Sequence, residues 1–350
     1  MVFPTGNANA RGPRHKQLLP LVHPLSCLFL LTIVFCYPFL DPPEGACPNK
    51  KVLHTFDPEN NPLTQEYAKT YRCRSLFPYP ERLRVGCSGW SYQDWVGPFY
   101  PREAKPGDYL KLYSSVFNAV EIDSTYYRTP SPLMVANWRK VTPETFVFTA
   151  KFPKKITHEL KLRDSLAQLE RYYKSISELR EKLGPLLIQL PPSFNYKKDK
   201  EALELFVGQI DPAYKHAIEF RNKSWFKPEI YKLLESKNVA LAWSENQYAS
   251  TPPEATSDIA YLRMVGDRTI TNFSGTQKDQ SQVLKKWYDT LEEKSSLFKQ
   301  GFIFFNNHFA GFGPGSVNEF RRLAGLAELD WKGLSTEVGP LQSSISQFQQ

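Results

Sequence analysis

The stretch Val120-Glu121-Ile122-Asp123 decides the fold class that this 350-residue sequence predicts. Side chains alternate between the two faces of a β-strand, so the two carboxylates share one face and the two aliphatic side chains share the other. The stretch Ile218-Glu219-Phe220-Arg221 repeats the pattern further along the chain. Both stretches therefore predict strands with an apolar face on one side and charged groups at their carboxyl ends on the other.

Eight short apolar runs resemble these two stretches, and seven of them carry a charged or amide-bearing side chain near the carboxyl end. The runs are Leu83–Ser88, Ala119–Asp123, Phe146–Lys151, Pro185–Leu190, Ala217–Arg221, Val239–Glu245, Ile259–Gly266 and Phe302–Asn307. Between the runs, apolar residues recur at helical spacing, as in Leu166, Leu169, Tyr173 and Ile176. Strands that alternate with helices are typical of a parallel sheet covered by helices.

Eight such strands over roughly 250 residues favour a closed α/β barrel, the (β/α)8 or TIM-type fold, over an open doubly wound sheet. No Gly-x-Gly-x-x-Gly follows the first run and no Walker-type loop occurs, so dinucleotide binding has no support. Catalytic groups in such barrels lie at the carboxyl ends of the strands. We therefore expect a single barrel over residues 83–328, with its function at the polar mouth.

The residues on either side of this barrel differ from it in composition. Residues 1–17 are basic, and Leu18–Leu40 contains no charged residue, which approaches the length of a membrane span. We expect an uncleaved membrane anchor there, with a signal peptide or a variable extension as alternatives. An anchor predicts a membrane-associated protein, and its absence a cytoplasmic one. Residues 41–82 are expected to be a linker, and residues 329–350 a tail rich in glutamine and serine.

Composition also bounds the partners and cofactors. The net charge of +8 suits an anionic partner, although solubility explains it equally well and no run of five or more lysines and arginines marks a nucleic-acid arm. All five cysteines lie before residue 88, without the Cys/His spacing of a structural zinc site. We therefore expect neither a bound metal nor a cofactor.

Several motifs follow one another in order along residues 83–328. They are Val85–Tyr92, Trp95–Pro101, Phe117–Arg128, Lys151–Pro153, Ile156–His158, Gly184–Phe194, Ala217–Arg221, Ser224-Trp225 and Phe305–Asn307. Together they resemble the YecE-like domains of unknown function (DUF72). The resemblance implies a TIM-type barrel and implies no reaction. The chain departs from the family pattern at Cys87, Asp123, Asn222 and the stretch Val265–Arg268. The family usually has a histidine at the position of Asn222 and another within the stretch that corresponds to Val265–Arg268. A role of those histidines would therefore not transfer to this chain.

Four acid/base candidates lie at the predicted mouth: Glu121, Asp123, His158 and Glu219. Glu121 and Glu219 come from the second and fifth strands, and such a pair acts as general acid and base when its surroundings separate the two pKa values. His158 follows the third strand, where an imidazole can exchange a proton near neutral pH. Internal ion pairs are the structural alternative for the glutamates, and convergence of these groups with Glu245 would form a metal site.

Eight further side chains are candidates for substrate binding. Lys151, Arg221 and Arg263 form a predicted cationic floor whose guanidinium groups suit a carboxylate or phosphate. The same three groups would pair with the glutamates if the network were structural. The others are two amides and three aromatic residues: Gln189, Asn306, Trp90, Tyr127 and Trp225. Aromatic side chains in mouth loops would stack on a sugar or a base.

These residues favour an enzyme, of hydrolase or isomerase type, that uses general acid/base catalysis on a polar or sugar- or phosphate-containing small molecule. One alternative is a non-catalytic barrel that binds nucleic acid or a phosphorylated ligand, which predicts that salt weakens binding. Another is a metal-dependent phosphodiesterase-like hydrolase, which predicts stoichiometric metal in the purified protein. The leading hypothesis predicts that Glu219→Gln leaves folding intact and abolishes turnover.

Overall fold

The structure, a computed structural model, describes residues 82–246, 250–266 and 268–335. Nine strands of this part of the chain pair in parallel within one sheet. They are β1 Leu83–Ser88, β2 Ala119–Ile122, β3 Val147–Lys151, β4 Leu183–Gln189, β5 His216–Glu219, β6 Val239–Leu241, β7 Trp243–Asn246, β8 Ile259–Gly266 and β9 Gln300–Phe305. Their spatial order is β6-β5-β4-β3-β2-β1-β9-β8-β7.

The sheet curls into a nearly closed barrel whose two ends meet at one interrupted strand. β6 pairs with β5, and β7 pairs with β8. Between them, Ala242 donates its backbone N–H to the carbonyl oxygen of Ile218 at 2.8 Å. The predicted run Val239–Glu245 is therefore one strand position that changes partner midway. The (β/α)8 fold class is confirmed, with nine strands instead of eight because the sixth is divided.

Helices alternate with the strands, as the apolar periodicity predicts. In the described ranges they are α1 Tyr109–Val116, α2 Ser124–Tyr127, α3 Pro132–Lys140, α4 Leu166–Ile176, α5 Tyr196–Gln209, α6 Pro228–Ser236, α7 Ser281–Glu293, α8 Asn307–Ala310 and α9 Gly313–Leu323. Ser131 caps α3, because its side chain accepts a hydrogen bond from the backbone N–H of Met134 at 3.2 Å. Proline at the first position of α3 fits there because that position needs no N–H donor.

The barrel interior is filled by small residues on some strands and large rings on others. The buried inner set is Ala119, Leu187, Ala217, Ala240, Ala242, Ile259, Tyr261, Phe302 and Phe304. Rings from β8 and β9 occupy the space that the alanines leave, with the Tyr261 and Phe304 centroids 5.5 Å apart. This apolar packing closes the barrel below the mouth, so the polar side chains at the strand ends rest on a filled floor.

Several sequence predictions fall on residues outside the described ranges. These are the basic segment 1–17, the hydrophobic segment Leu18–Leu40, the linker up to residue 81 and the tail from residue 336. Within the ranges that are described, no helix is both long enough and apolar enough to span a bilayer.

Candidate functional site

A cavity of about 470 Å³ opens where the strands end. This volume lies within the range of roughly 300–1,000 Å³ that is usual for small-molecule sites. The described residues that line it are Tyr92, Asp123, Tyr126, Tyr127, Lys151, His158, Gln189, Pro191, Pro192, Arg221, Arg263, Val265, Arg268, Phe273, Asn306, Asn307 and His308. Most come from the strand ends or the loops after them, as a barrel mouth requires.

Arg263 of β8 is the centre of the charge network at the base of this cavity. Its Nε and Nη2 atoms donate to the two carboxylate oxygens of Glu121, at 2.8 Å each, and its Nη1 donates to Glu219. The residue is only 1% exposed. One guanidinium fork therefore ties β8 to two carboxylates on β2 and β5, in the bidentate geometry that makes such pairs strong.

Glu121 has its oxygens occupied from several sides. Besides Arg263, the hydroxyls of Ser88 and Tyr261 donate to it at 2.8 Å each, and Lys151 Nζ lies 3.7 Å away. Burial by itself would raise the pKa of this carboxyl. The positive charges of Arg263 and Lys151, with the hydrogen bonds, outweigh burial and lower the pKa to about 2.

Glu219 is held in the same manner. Arg221 Nε donates to one of its oxygens at 2.8 Å, and Arg263 donates to the other. Burial again raises the pKa, but the two guanidinium groups lower it further, to about 2. Both glutamates are therefore ionised at neutral pH, and their surroundings do not separate their pKa values. Neither is among the described residues that line the cavity, so the acid/base role predicted for the pair stays a prediction.

Among the charged side chains that line the cavity, cations predominate. Lys151 Nζ pairs with Asp123 Oδ1 at 2.6 Å, and Arg221 Nη2 donates to Gln189 Oε1 at 3.0 Å. Arg268, in the loop after β8, adds a further guanidinium group to the lining. Among the described lining residues, Asp123 carries the carboxylate that partly balances the charge of these cations. The three cations of the predicted floor therefore line the cavity and also form ion pairs or hydrogen bonds there, and their role in substrate binding stays a prediction.

His158 lies on the turn after β3, half-buried at the cavity wall. Its Nδ1 is 2.9 Å from the hydroxyl of Thr157, which itself donates to the carbonyl oxygen of Pro153. We therefore assign the proton to Nδ1 and the free lone pair to Nε2. Burial, with the charges of Arg221 and Lys151, lowers the pKa of His158 to about 4. The imidazole is therefore neutral at pH 7.

Two predicted aromatic binders do not reach the cavity. Trp225 is fully buried between the rings of Phe194 and Phe220, each with its centroid 5.1 Å away, and its Nε1 donates to the carbonyl oxygen of Phe194. Trp90 packs edge-on against Trp138 and is absent from the described lining. Both side chains stabilise the loops instead. Among the three aromatic candidates, Tyr127 lines the cavity, with 73% of its surface exposed.

The expectation that Glu245 faces the mouth is wrong. Its Oε2 accepts a hydrogen bond from Trp287 Nε1 of α7 at 2.8 Å, on the outer side of the barrel. The inner face of this strand belongs to Ala240, Ala242 and Ser244, which alternate with it in register. Glu245 therefore cannot join the other acids. Within the described part of the chain, no cluster of three or more His, Cys, Asp or Glu side chains is arranged to hold a metal ion.

Several lining residues are not among the twelve candidate site residues. They are Tyr92, Tyr126, Pro191, Pro192, Val265, Arg268, Phe273, Asn307 and His308. The loop after β8 reaches across the mouth, because the backbone N–H of Phe273 donates to Asp94 Oδ2 at 2.8 Å. The Phe273 ring also contacts Tyr92 and His308 edge-on. Three of them had a sequence signal: Tyr92 and Tyr126 are aromatic residues of the predicted mouth loops, and Asn307 is the second of two amides at the end of the last strand.

The chain is similar to proteins from several bacteria. It is 26% identical over 280 residues to the UPF0759 protein YunF of Bacillus subtilis, covering 72% of this chain and 97% of that protein. It is 29% identical over 144 residues to the UPF0759 protein YecE of Escherichia coli K12, covering 41% of this chain and 50% of that protein.

Solved structures agree with these matches. The crystal structure of a DUF72 family protein from Thermotoga maritima superposes with a TM-score of 0.60 at 29% identity, covering 69% of this chain and 99% of that one. A DUF72 family protein from Enterococcus faecalis gives a TM-score of 0.57 at 20% identity, covering 70% and 98%, which shows the shared fold. The model of the family described as "Protein of unknown function DUF72" matches residues 84–338, and the chain belongs to this family.

Proposed function

We propose that this chain is an enzyme whose mouth cavity binds a small molecule by an oxyanion group of that molecule, phosphate or carboxylate. The enzyme then catalyses a proton transfer to or from the bound molecule. The observation that carries the proposal is the charge of the cavity lining. Four cationic side chains line it, namely Lys151, Arg221, Arg263 and Arg268, and Asp123 opposes them there. Even when the two glutamates beneath are counted, cations exceed carboxylates, so an anionic ligand is favoured.

Glu121 and Glu219 act in this proposal as positioning residues. Each is fully buried and ionised, and together they fix the fork of Arg263, while Glu219 also orients Arg221. A guanidinium held in this way needs little reorganisation when an oxyanion arrives, which is the condition for effective electrostatic stabilisation.

Proton transfer falls to groups that reach the cavity surface. His158 presents a neutral Nε2, and Asp123 lies beside the ammonium group of Lys151. A neutral imidazole can take up a proton from the ligand, and a carboxylate or ammonium partner can stabilise the charge that develops. This division of roles supports a hydrolase or isomerase type of reaction.

The proposal is tested first by binding. Isothermal titration with inorganic phosphate and with malonate should show binding that salt weakens. Arg268→Gln removes one cavity cation at an exposed position, and we expect it to weaken phosphate binding about three- to tenfold. Arg322→Gln is the matched control, because Arg322 is an exposed arginine on α9 paired with Glu328, and it should leave binding unchanged. Absence of binding by both anions would overturn the proposal.

Catalysis is tested separately with a metabolite mixture analysed by mass spectrometry. His158→Ala should abolish product formation while phosphate binding persists, since His158 is proposed to move a proton and not to anchor the anion. Phosphate binding without any product from the wild-type protein would favour a non-catalytic barrel. Tight binding of a single-stranded oligonucleotide, with no binding of the small anions, would favour the nucleic-acid alternative.

A further inference from the structure

Asn307 has one half of its amide satisfied and the other half not. It is the first residue of α8 and is only 2% exposed. Its Oδ1 accepts hydrogen bonds from Trp95 Nε1 at 3.2 Å and from the backbone N–H of Gly313 at 2.9 Å. Two N–H donors on one side settle the amide orientation, because a flipped NH2 group would face both of them.

The Nδ2 atom of Asn307 is buried and has no hydrogen-bond partner within the described part of the chain. An unpaired buried donor costs free energy, and native structures tolerate few of them. Asn307 lines the cavity, whereas Trp95 and Gly313 are not among the described lining residues. The partners of Oδ1 thus lie outside the lining, from which we infer that Nδ2 is the half of the amide nearer the cavity.

Tight packing keeps this amide in place. A Cβ atom added at Gly313 would lie 3.0 Å from Asn307 Oδ1 and 3.1 Å from Cys87 Sγ, so there is little room for the side chain to turn. The donor is therefore held in a fixed position, as a binding group should be.

The end of β8 is in direct contact with the same segment. A Cβ atom at Gly266 would lie 2.0 Å from the carbonyl oxygen of His308, and His308 Nδ1 is 2.9 Å from the carbonyl oxygen of Ile270. The loop that carries Arg268 is thus fixed against α8. Asn307, a buried neutral donor, and Arg268, an exposed cation, thus line the cavity from two chain segments that are in contact.

We propose that Asn307 Nδ2 is a ligand-binding donor, which binds an oxygen of the ligand's oxyanion group on the β8–β9 side of the mouth, next to Arg268. This inference rests on the proposed function and adds the place where the oxyanion binds. The rest of the ligand would then extend toward Lys151, Asp123 and His158, at the ends of β2 and β3. An acceptor oxygen is required at this place, because Asn307 offers only N–H groups there.

Asn307→Asp tests the inference with little change of shape. An aspartate keeps the oxygen that Trp95 and Gly313 bind, and replaces the donor by an acceptor. We expect phosphate affinity to fall more than tenfold, since a hydrogen bond to a charged group is worth at least that factor. Asn195→Asp is the matched control. It adds the same charge at a helix cap outside the described cavity lining, where the side chain accepts from the backbone N–H of Lys198 at 3.2 Å, and its effect should be clearly smaller.

A second measurement on the wild-type protein does not depend on how the variant folds. The side-chain NH2 resonances of Asn307, assigned by NMR, should shift on titration with inorganic phosphate. Unmoved resonances, or equal losses of affinity in Asn307→Asp and Asn195→Asp, would overturn the inference. If Arg268→Gln still weakened phosphate binding in that case, the proposed function would stand. A wild-type protein that binds neither phosphate nor malonate would instead refute the proposed function.

Discussion

Glu219→Gln removes one negative charge from the network beneath the cavity. Glutamine keeps the shape of the side chain. In the wild-type protein Arg221 and Arg263 each donate to one carboxylate oxygen of Glu219, and in the variant one of these guanidinium groups would face an NH2 group instead. Removing one partner of a buried ion pair costs about 3–5 kcal/mol. The pKa of Glu219, lowered to about 2 from 4.5, corresponds to about 3 kcal/mol at neutral pH. We therefore expect a loss of about 3–5 kcal/mol in the free energy of unfolding, and not the intact folding that the sequence alone predicts.

The assay is urea denaturation at pH 7, followed by tryptophan fluorescence. Asp289→Asn is the control for the same chemical change. Its carboxylate is half-exposed and pairs with Lys285 on α7, so the expected change stays within about 0.5 kcal/mol. The double variant Glu219→Gln with Arg221→Gln restores the balance of charge, and its loss should be smaller than the sum of the two single losses. If Glu219→Gln is as stable as Asp289→Asn, the reasoning about the buried network is wrong.

Four other outcomes follow from the same structure and sequence. The pKa of Glu219 is lowered in the folded protein, so the ionised carboxylate stabilises the fold fully above its unfolded pKa of about 4.5, and this stabilisation is lost as the pH falls toward 2. Acid unfolding, measured by circular dichroism, should therefore begin below pH 4.5 and should be less steep in Glu219→Gln. The His158 imidazole should titrate by NMR near pH 4, and a midpoint near 6.5 would contradict the influence of the neighbouring cations. Gly266→Ala should lose about 2 kcal/mol or more in urea denaturation, because φ is +75° and the new Cβ would meet a carbonyl oxygen of α8, whereas Gly275→Ala should change little. The full-length chain should sediment with membranes, and a chain starting near Leu83 should not; full-length protein found uncleaved and entirely in the soluble fraction would refute the anchor hypothesis.

Strand positions could be predicted from the sequence because alternation along a strand is a local property. The same alternation places Glu121, Glu219 and Arg263 on the inner face, where the structure joins them. It failed for Glu245, because the inner face of that run is formed by Ala240 and Ala242, which alternate with the glutamate. The small residues Ala240 and Ala242 are the better guide there, since the crowded interior accepts them and the helix-covered face prefers larger side chains.

Features that depend on distant partners were not predictable. Trp225 looked like a mouth residue, and only the packing of Phe194 against it shows that the ring is buried. The orientation of the Asn307 amide, which leaves Nδ2 unpaired, depends on the hydrogen bond from Trp95, 212 residues earlier in the chain. The division of the sixth strand at Ala242 has no local signal either, because neither glycine nor proline interrupts that run.

The position of Arg263 late in the chain has a consequence for protein synthesis. Glu121 emerges from the ribosome 142 residues before the guanidinium group that it binds in the finished barrel, and Glu219 emerges 44 residues before it. A nascent chain that ends after β5 contains both carboxylates, with only Lys151 and Arg221 to balance them. Burying these charges at that stage would be costly. The early strands should therefore stay loosely assembled, and open to chaperones, until β8 supplies the arginine that lets the barrel close.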